Sequence, residues 1–307
     1  MADRLLSTLR LKGRLQAGDL LAALGVSRAT LMRLAHAAGP ALVVRGAARR
    51  TTYAARRQLR GSDARLPLYR VCEQGDVQQI AWLDLVCPDG CAAEFLADFG
   101  WPLDDGMASG WFDGLPYPLH DMRPQGFLGR NFARHHAEML QVPHDPAAWS
   151  DDHALHAMQL LGADLPGDLI VGEPACRQWL AQVQAARMGR GGTPVCDADV
   201  GPAYAGLAES AMAQGIVGSS AGGEFPKFAA LRQFAGGRVQ PVLVKFSGSD
   251  SSPGAQRWAD LLVCEHLAGL TLQQHLGVAA ASSRIVHHAG RTFLEIERFD
   301  RHGVLGR

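Results

Sequence analysis

The sequence predicts an α+β chain of three consecutive units, and three observations carry that expectation. Residues 1–60 are strongly basic, with apolar positions at helical spacing; residues 67–203 read as short apolar strands broken by Gly, Pro and Asp. Residues 205–307 hold a Gly/Ser-rich turn followed by two apolar strands around a Gly-Gly pair, then a helix and two more strands. The composition suits a globular chain, since 47% of its 307 residues are hydrophobic and 20% are charged. A formal net charge of zero hides an uneven division: residues 1–60 carry 12 Lys/Arg against 2 Asp/Glu, a balance of +10, so the remaining 247 sum to −10. Such an N-terminal end calls for a polyanion.

In the first unit, residues 3–11 and 16–24 have the periodicity of two helices. Gly25-Val26-Ser27 then makes a turn, and Ser27 is placed to cap a third helix over residues 28–38. Helix, glycine-containing turn and helix is the helix-turn-helix pattern, in which Ser27, Arg28, Thr30 and Arg33 face a DNA groove. Residues 42–56 alternate as a hairpin with Arg49 and Arg50 near its tip, a wing, so duplex DNA is the expected partner. Residues 56–66 read as a linker whose Arg56, Arg57 and Arg60 are available to phosphates.

In the middle unit, Val71, residues 80–83 and residues 91–95 predict a small sheet under a loop-rich layer of Trp101, Trp111, Phe112, Leu115 and Tyr117. Residues 123–136 begin a helical region with Phe127, Leu128, Phe132 and Leu140 as its apolar face. A further helix runs through residues 151–162, with Asp151 or Asp152 as cap and Gly162 as stop. His153 and His156 on that helix, with His135 and His136 nearby, lack a third ligand at metal-binding spacing, so no metal is assigned. Residues 188–201 are glycine-rich, but no strand precedes them and no Lys-Ser or Lys-Thr opens a helix after them. They read as a connection.

The third unit carries the chemistry. Small residues over 218–227 let backbone N–H groups approach phosphates, and a lysine closing an apolar strand, Lys245 after Val242, Leu243 and Val244, needs an anionic partner. Strands are expected over 228–234 and 240–246 around Gly236-Gly237, a helix over 257–267, and strands over 283–287 and 292–296 around Ala289-Gly290.

The run Ser220-Ala221-Gly222-Gly223-Glu224-Phe225-Pro226-Lys227, the lysine strand at 241–247 and Ile296-Glu297-Arg298-Phe299-Asp300-Arg301 resemble, in that order, motifs of the HipA-type serine/threonine kinases, toxins of toxin–antitoxin systems. The basic N-terminal unit points to their YjjJ-like branch. The resemblance implies a winged helix-turn-helix over 1–60, a HipA N-terminal-like subdomain over 67–203 and a kinase-like small lobe over 205–307, an antiparallel sheet with one helix. It implies ATP as cofactor with Mg²⁺, held by Ser220, Gly222, Gly223, Lys227 and Lys245 at the phosphates and by backbone groups of Glu297 and Phe299 at the adenine. It further implies a carboxylate orienting Lys245, with Asp260 preferred over Glu265, and Ser220 as the autophosphorylation site.

Two departures stand out. Phe225 occupies a position where that family usually has Gln. The aspartate base and the metal-holding Asn and Asp of the family's helical lobe have no counterparts here, so the expectation is of a chain that lacks that lobe and does not transfer phosphate by itself. A different reading makes the chain a DNA-binding regulator that dimerises on an operator, or an inert remnant. No apolar run approaches the ~18 residues that span a bilayer, and six scattered cysteines suit a reducing compartment, so a cytoplasmic protein without membrane contact is expected.

Overall fold

The computed structural model describes residues 2–47, 50–213 and 223–307. Its first part comprises helices α1 (Ala2–Lys12), α2 (Ala17–Leu24) and α3 (Arg28–Ala38), with strands β1 (Leu15–Gln16), β2 (Leu42–Arg45) and β3 (Thr52–Ala55) in an antiparallel sheet of order β1-β3-β2. The spacing of Leu5, Leu9, Leu20, Leu24, Leu31 and Leu34 buries one stripe of each helix in a common core. Gly25 closes α2 in the left-handed region at φ 66°, and Ser27 caps α3 by accepting from the Thr30 N–H at 3.3 Å, as expected.

The middle part is a five-stranded sheet of order β7-β6-β5-β4-β8, from β4 (Leu66–Val71), β5 (Val77–Leu85), β6 (Cys91–Phe95), β7 (Trp111–Phe112) and β8 (Leu169–Val171). Short helices α4 (Asp105–Ala108) and α5 (Tyr117–Asp121) lead to the longer α6 (Gly126–Leu140) and α7 (Asp151–Leu161). Phe132 and Leu140 of α6 join Leu155 and Met158 of α7 in the main core and Leu128 is buried, whereas Phe127 turns away to the third part. The cap of α7 is Ser150, not Asp151 or Asp152: Ser150 accepts from the His153 N–H, and the His153 ring accepts from the Ser150 N–H. The two aspartates instead answer Arg123 and Arg57. Helix α8 (Glu173–Arg187) covers β8 through Ala175, Cys176, Trp179 and Val183.

The expected linker is docked rather than extended. Arg56, Arg45 and Arg65 converge on the Asp84 carboxylate at 2.9, 2.7 and 3.0 Å, Arg57 pairs with Asp152, and Arg60 donates to the Gln141 carbonyl. Asp84 is almost wholly buried, and a buried carboxylate requires such donors. Arg56 and Arg57 therefore join the first two parts and are not presented for phosphates, whereas Arg60 stays exposed. Val43, Ala54, Val86, Ala92 and Trp111 form an apolar contact at the same joint.

In the third part, β9 (Lys227–Gln233), β10 (Val239–Phe246), β11 (Ser283–His288) and β12 (Arg291–Glu297) make an antiparallel sheet of order β11-β12-β10-β9. Both hairpin turns need positive φ, supplied by Gly236 and Gly237 (80° and 82°) and by Ala289 and Gly290 (48° and 74°). Two helices flank this sheet where one was expected. Helix α9 (Val200–Ala213) buries Tyr204, Ala208 and Ala211 against Phe228, Val242, Val244, Phe246 and Phe293. The expected boundary at 203–205 thus falls inside α9, whose buried side belongs to the third core. Helix α10 (Pro253–Leu276), capped by Ser252, is more than twice the expected length and lies against β10, β11 and β12. Residues 298–307 tie this part to the middle one: Arg298 and Arg301 pair with Asp164 and Asp300, and Arg307 stacks over Trp179 at 4.2 Å. Among the described residues no helix is long and apolar enough to cross a membrane.

Candidate functional site

Side chains alternate along a strand, so Lys245 and Leu243 share one face of β10 while Val242, Val244 and Phe246 fill the core on the other. Lys227 lies directly opposite Lys245 across β9 and β10, on that same face. Two like charges so placed repel. Lys227 is 1% exposed, and burial, with the Lys245 ammonium as the second cause, pulls its pKa down to about 8. Its Nζ donates to the Gly223 carbonyl at 3.0 Å.

Lys245 meets Glu265, at 2.5 Å from Nζ to Oε1, and does not meet Asp260. Helical geometry explains the correction. Leu262 is the buried residue of α10, and Glu265, three positions on, stands on the same face, whereas Asp260, two positions before it, is turned away, exposed, and accepts from Gln256 at 2.8 Å. Glu265, half-exposed, pairs with Lys245, and the Glu265 and Glu224 carboxylates both act on the neighbouring Lys227 ammonium.

Gly223 holds φ 95° and accepts a second hydrogen bond from the Phe127 N–H at 3.0 Å. Phe225 packs its ring on Trp258 of α10 with centroids 4.5 Å apart. The expected Ser220 and Gly222 lie outside the described residues.

Beyond Leu243 on the lysine face, Ile296 is its partner on β12, and the two line an apolar cavity of ≈ 340 Å³ with Glu297, Phe299, Gln125, Pro166 and Gly167. Phe299 stands at its lip, 84% exposed. The Glu297 N–H is already engaged by the Ser282 carbonyl at 2.8 Å, and its carboxylate receives both Arg238 nitrogens at 2.8 and 3.0 Å. The middle part supplies one wall of this cavity, which the sequence reading did not anticipate; residues so far apart in the chain, such as Gly167 and Leu243, leave no local signal of such a meeting.

At the other end of the molecule, Arg28 and Arg33 are exposed on α3, and Arg33 donates to the Thr30 hydroxyl at 3.2 Å. Ser27 and Thr30 are partly occupied with each other and with capping. Met32 and His36 are exposed on the same helix and had been missed, though the positions between the buried Leu31, Leu34 and Ala38 mark them. Arg50 is exposed; Arg49 lies outside the described residues. Among the described residues no group of three His, Cys, Asp or Glu is placed to hold a metal ion.

Residues 62–180 match the model of the YjjJ-like toxin middle domain. The chain is 37% identical over 304 residues to Toxin YjjJ of Escherichia coli (strain K12), an alignment covering 98% of this chain. It spans 64% of the length of that curated relative.

Proposed function

We propose that this chain serves a HipA-type serine/threonine kinase toxin of the YjjJ-like kind, with its first part a winged helix-turn-helix for duplex DNA and its third part the kinase-like small lobe that holds ATP. The observation that carries the nucleotide reading is the facing pair Lys227 and Lys245, continued along one sheet face into the apolar cavity at Leu243 and Ile296. The residues fit the group: a buried ammonium crowded by a second one gains from a polyphosphate, and an apolar cavity of ≈ 340 Å³ suits a purine. Lys245, steadied by Glu265, would bind the α- and β-phosphates, Lys227 and the Gly223 end of the loop the β- and γ-phosphates, and Ile296 and Phe299 would flank the base. Mg²⁺ enters only as the ion accompanying the phosphates. The general base that phosphoryl transfer needs is not assigned to any described residue.

The regulator reading draws support from α3, whose exposed arginines need no nucleotide to meet DNA. One set of titrations addresses both. With a fluorescent ATP analogue, the chain should show saturable binding that Lys245→Ala abolishes and Asp260→Ala leaves intact, and labelled ATP with Mg²⁺ then asks whether phosphate reaches protein. No saturable binding, or equal binding by Lys245→Ala, would refute the nucleotide site and leave the DNA regulator standing.

A further inference from the structure

Among the described residues the middle part touches the Gly-rich segment at the start of α6. Gly126 opens that helix at φ 63°, and a Cβ there would come within 2.4 Å of the Gly223 carbonyl oxygen and 2.7 Å of its nitrogen. Phe127 donates its N–H to the same carbonyl at 3.0 Å, and Arg130, one turn later, reaches Glu224 at 2.6 Å. Arg130 holds the Glu224 carboxyl below its ordinary value, and Glu224 in turn raises the Arg130 guanidinium. Three contacts from the start of one helix thus fall on two consecutive residues of the segment. Opposite them, Lys227 grips Gly223 and Trp258 packs on Phe225.

We propose that the start of α6 is a positioning clamp: Gly126, Phe127 and Arg130 hold Gly223 and Glu224 over the two lysines, so that the middle part completes the phosphate end of the nucleotide site. The inference rests on the nucleotide reading above. Neither Gly126 nor Arg130 touches the nucleotide in this scheme; they act through the segment. The middle part also walls the apolar cavity with Gln125, the residue before the clamp, so a single helix start borders both ends of the site.

The test is the affinity of the full chain for ATP, read beside hydrogen exchange of the 223–227 amides and thermal unfolding. Arg130→Glu should weaken binding about threefold, as expected of an exposed ion pair turned repulsive, speed exchange at 223–227 and leave Tm unchanged. Gly126→Ala should weaken it more, about tenfold, because the added carbon displaces the Gly223 backbone. The charge exchange Arg130→Glu with Glu224→Arg should restore both affinity and slow exchange. Strictly additive losses in the double variant, or faster exchange without loss of affinity, would overturn the clamp. If the parent chain binds ATP and all variants bind it equally, the clamp alone falls; if the parent does not bind, the nucleotide reading falls and takes the clamp with it.

Discussion

The first and third parts of this molecule both lean on arginine and lysine, but they use the charge in opposite ways. In the first part the cations divide by face: Arg45, Arg56 and Arg57 turn inward to Asp84 and Asp152 of the middle part, and Arg28, Arg33 and Arg50 stay in solvent. In the third part the cations go inside, with Lys227 and Arg232 at 1% and 0% exposure. Arg232 is held there by Glu295 at 2.9 Å and by Asp197, while Tyr204 donates to the same Glu295. Burial, not the number of charges, decides what each is worth: an exposed pair is screened by water, and a buried one leaves its partner stranded when broken.

The largest effect should come from breaking the buried side of this comparison. Replacing Arg232 and Arg284 together by Ala would take both guanidinium groups from the buried Glu295 and cost ~3–5 kcal/mol, visible as a lower denaturant midpoint. A loss under about 1 kcal/mol would mean that water reaches Glu295 and that the core contrast is overdrawn.

Next in size is the open face of the first part. Replacing Arg28 and Arg33 together by Ala should weaken binding to duplex DNA by roughly 1–3 kcal/mol per base-reading arginine at fixed salt. Arg45→Ala with Arg57→Ala, at the inward face, should leave the gel shift nearly unchanged. Equal losses from both pairs would erase the division between the faces.

A smaller effect is expected from protonation. Lys227 is charged below about 8 and neutral above, so affinity for ATP should fall as pH rises through that value, and Lys227→Met should remove the dependence. The sign for stability is opposite. Because the folded value is depressed from 10.5, the unfolded chain holds more protons between about 8 and 10.5, and the unliganded protein should become more stable across that window. Affinity that is flat in pH would place the working cation elsewhere, on Lys245.

The smallest effect belongs to the joint of the first two parts, where the buried Asp84 has three guanidinium partners. Asp84 keeps Arg56 and Arg65 when Arg45 is lost, so Arg45→Ala should cost about 1 kcal/mol or less by thermal unfolding. A larger loss would show that the three guanidinium groups act as one unit.

Much of this arrangement was legible in the chain because it is written at short range. The Ser27 cap, the glycine turns at 236–237 and 289–290, the strands they join and the lysine closing an apolar run all follow from the backbone preferences of a few neighbouring residues. The choice between Asp260 and Glu265 could also have been made from spacing, had Leu262 been taken as the buried mark of the helix. What only the tertiary structure decided are meetings of distant residues: Lys227 against Lys245 through strand register, Arg45 and Arg56 turned onto Asp84, and the start of α6 against Gly223. Charge spacing along a chain is blind to such meetings, since register, domain docking and desolvation set which cations stay in water and which are buried beside a second charge.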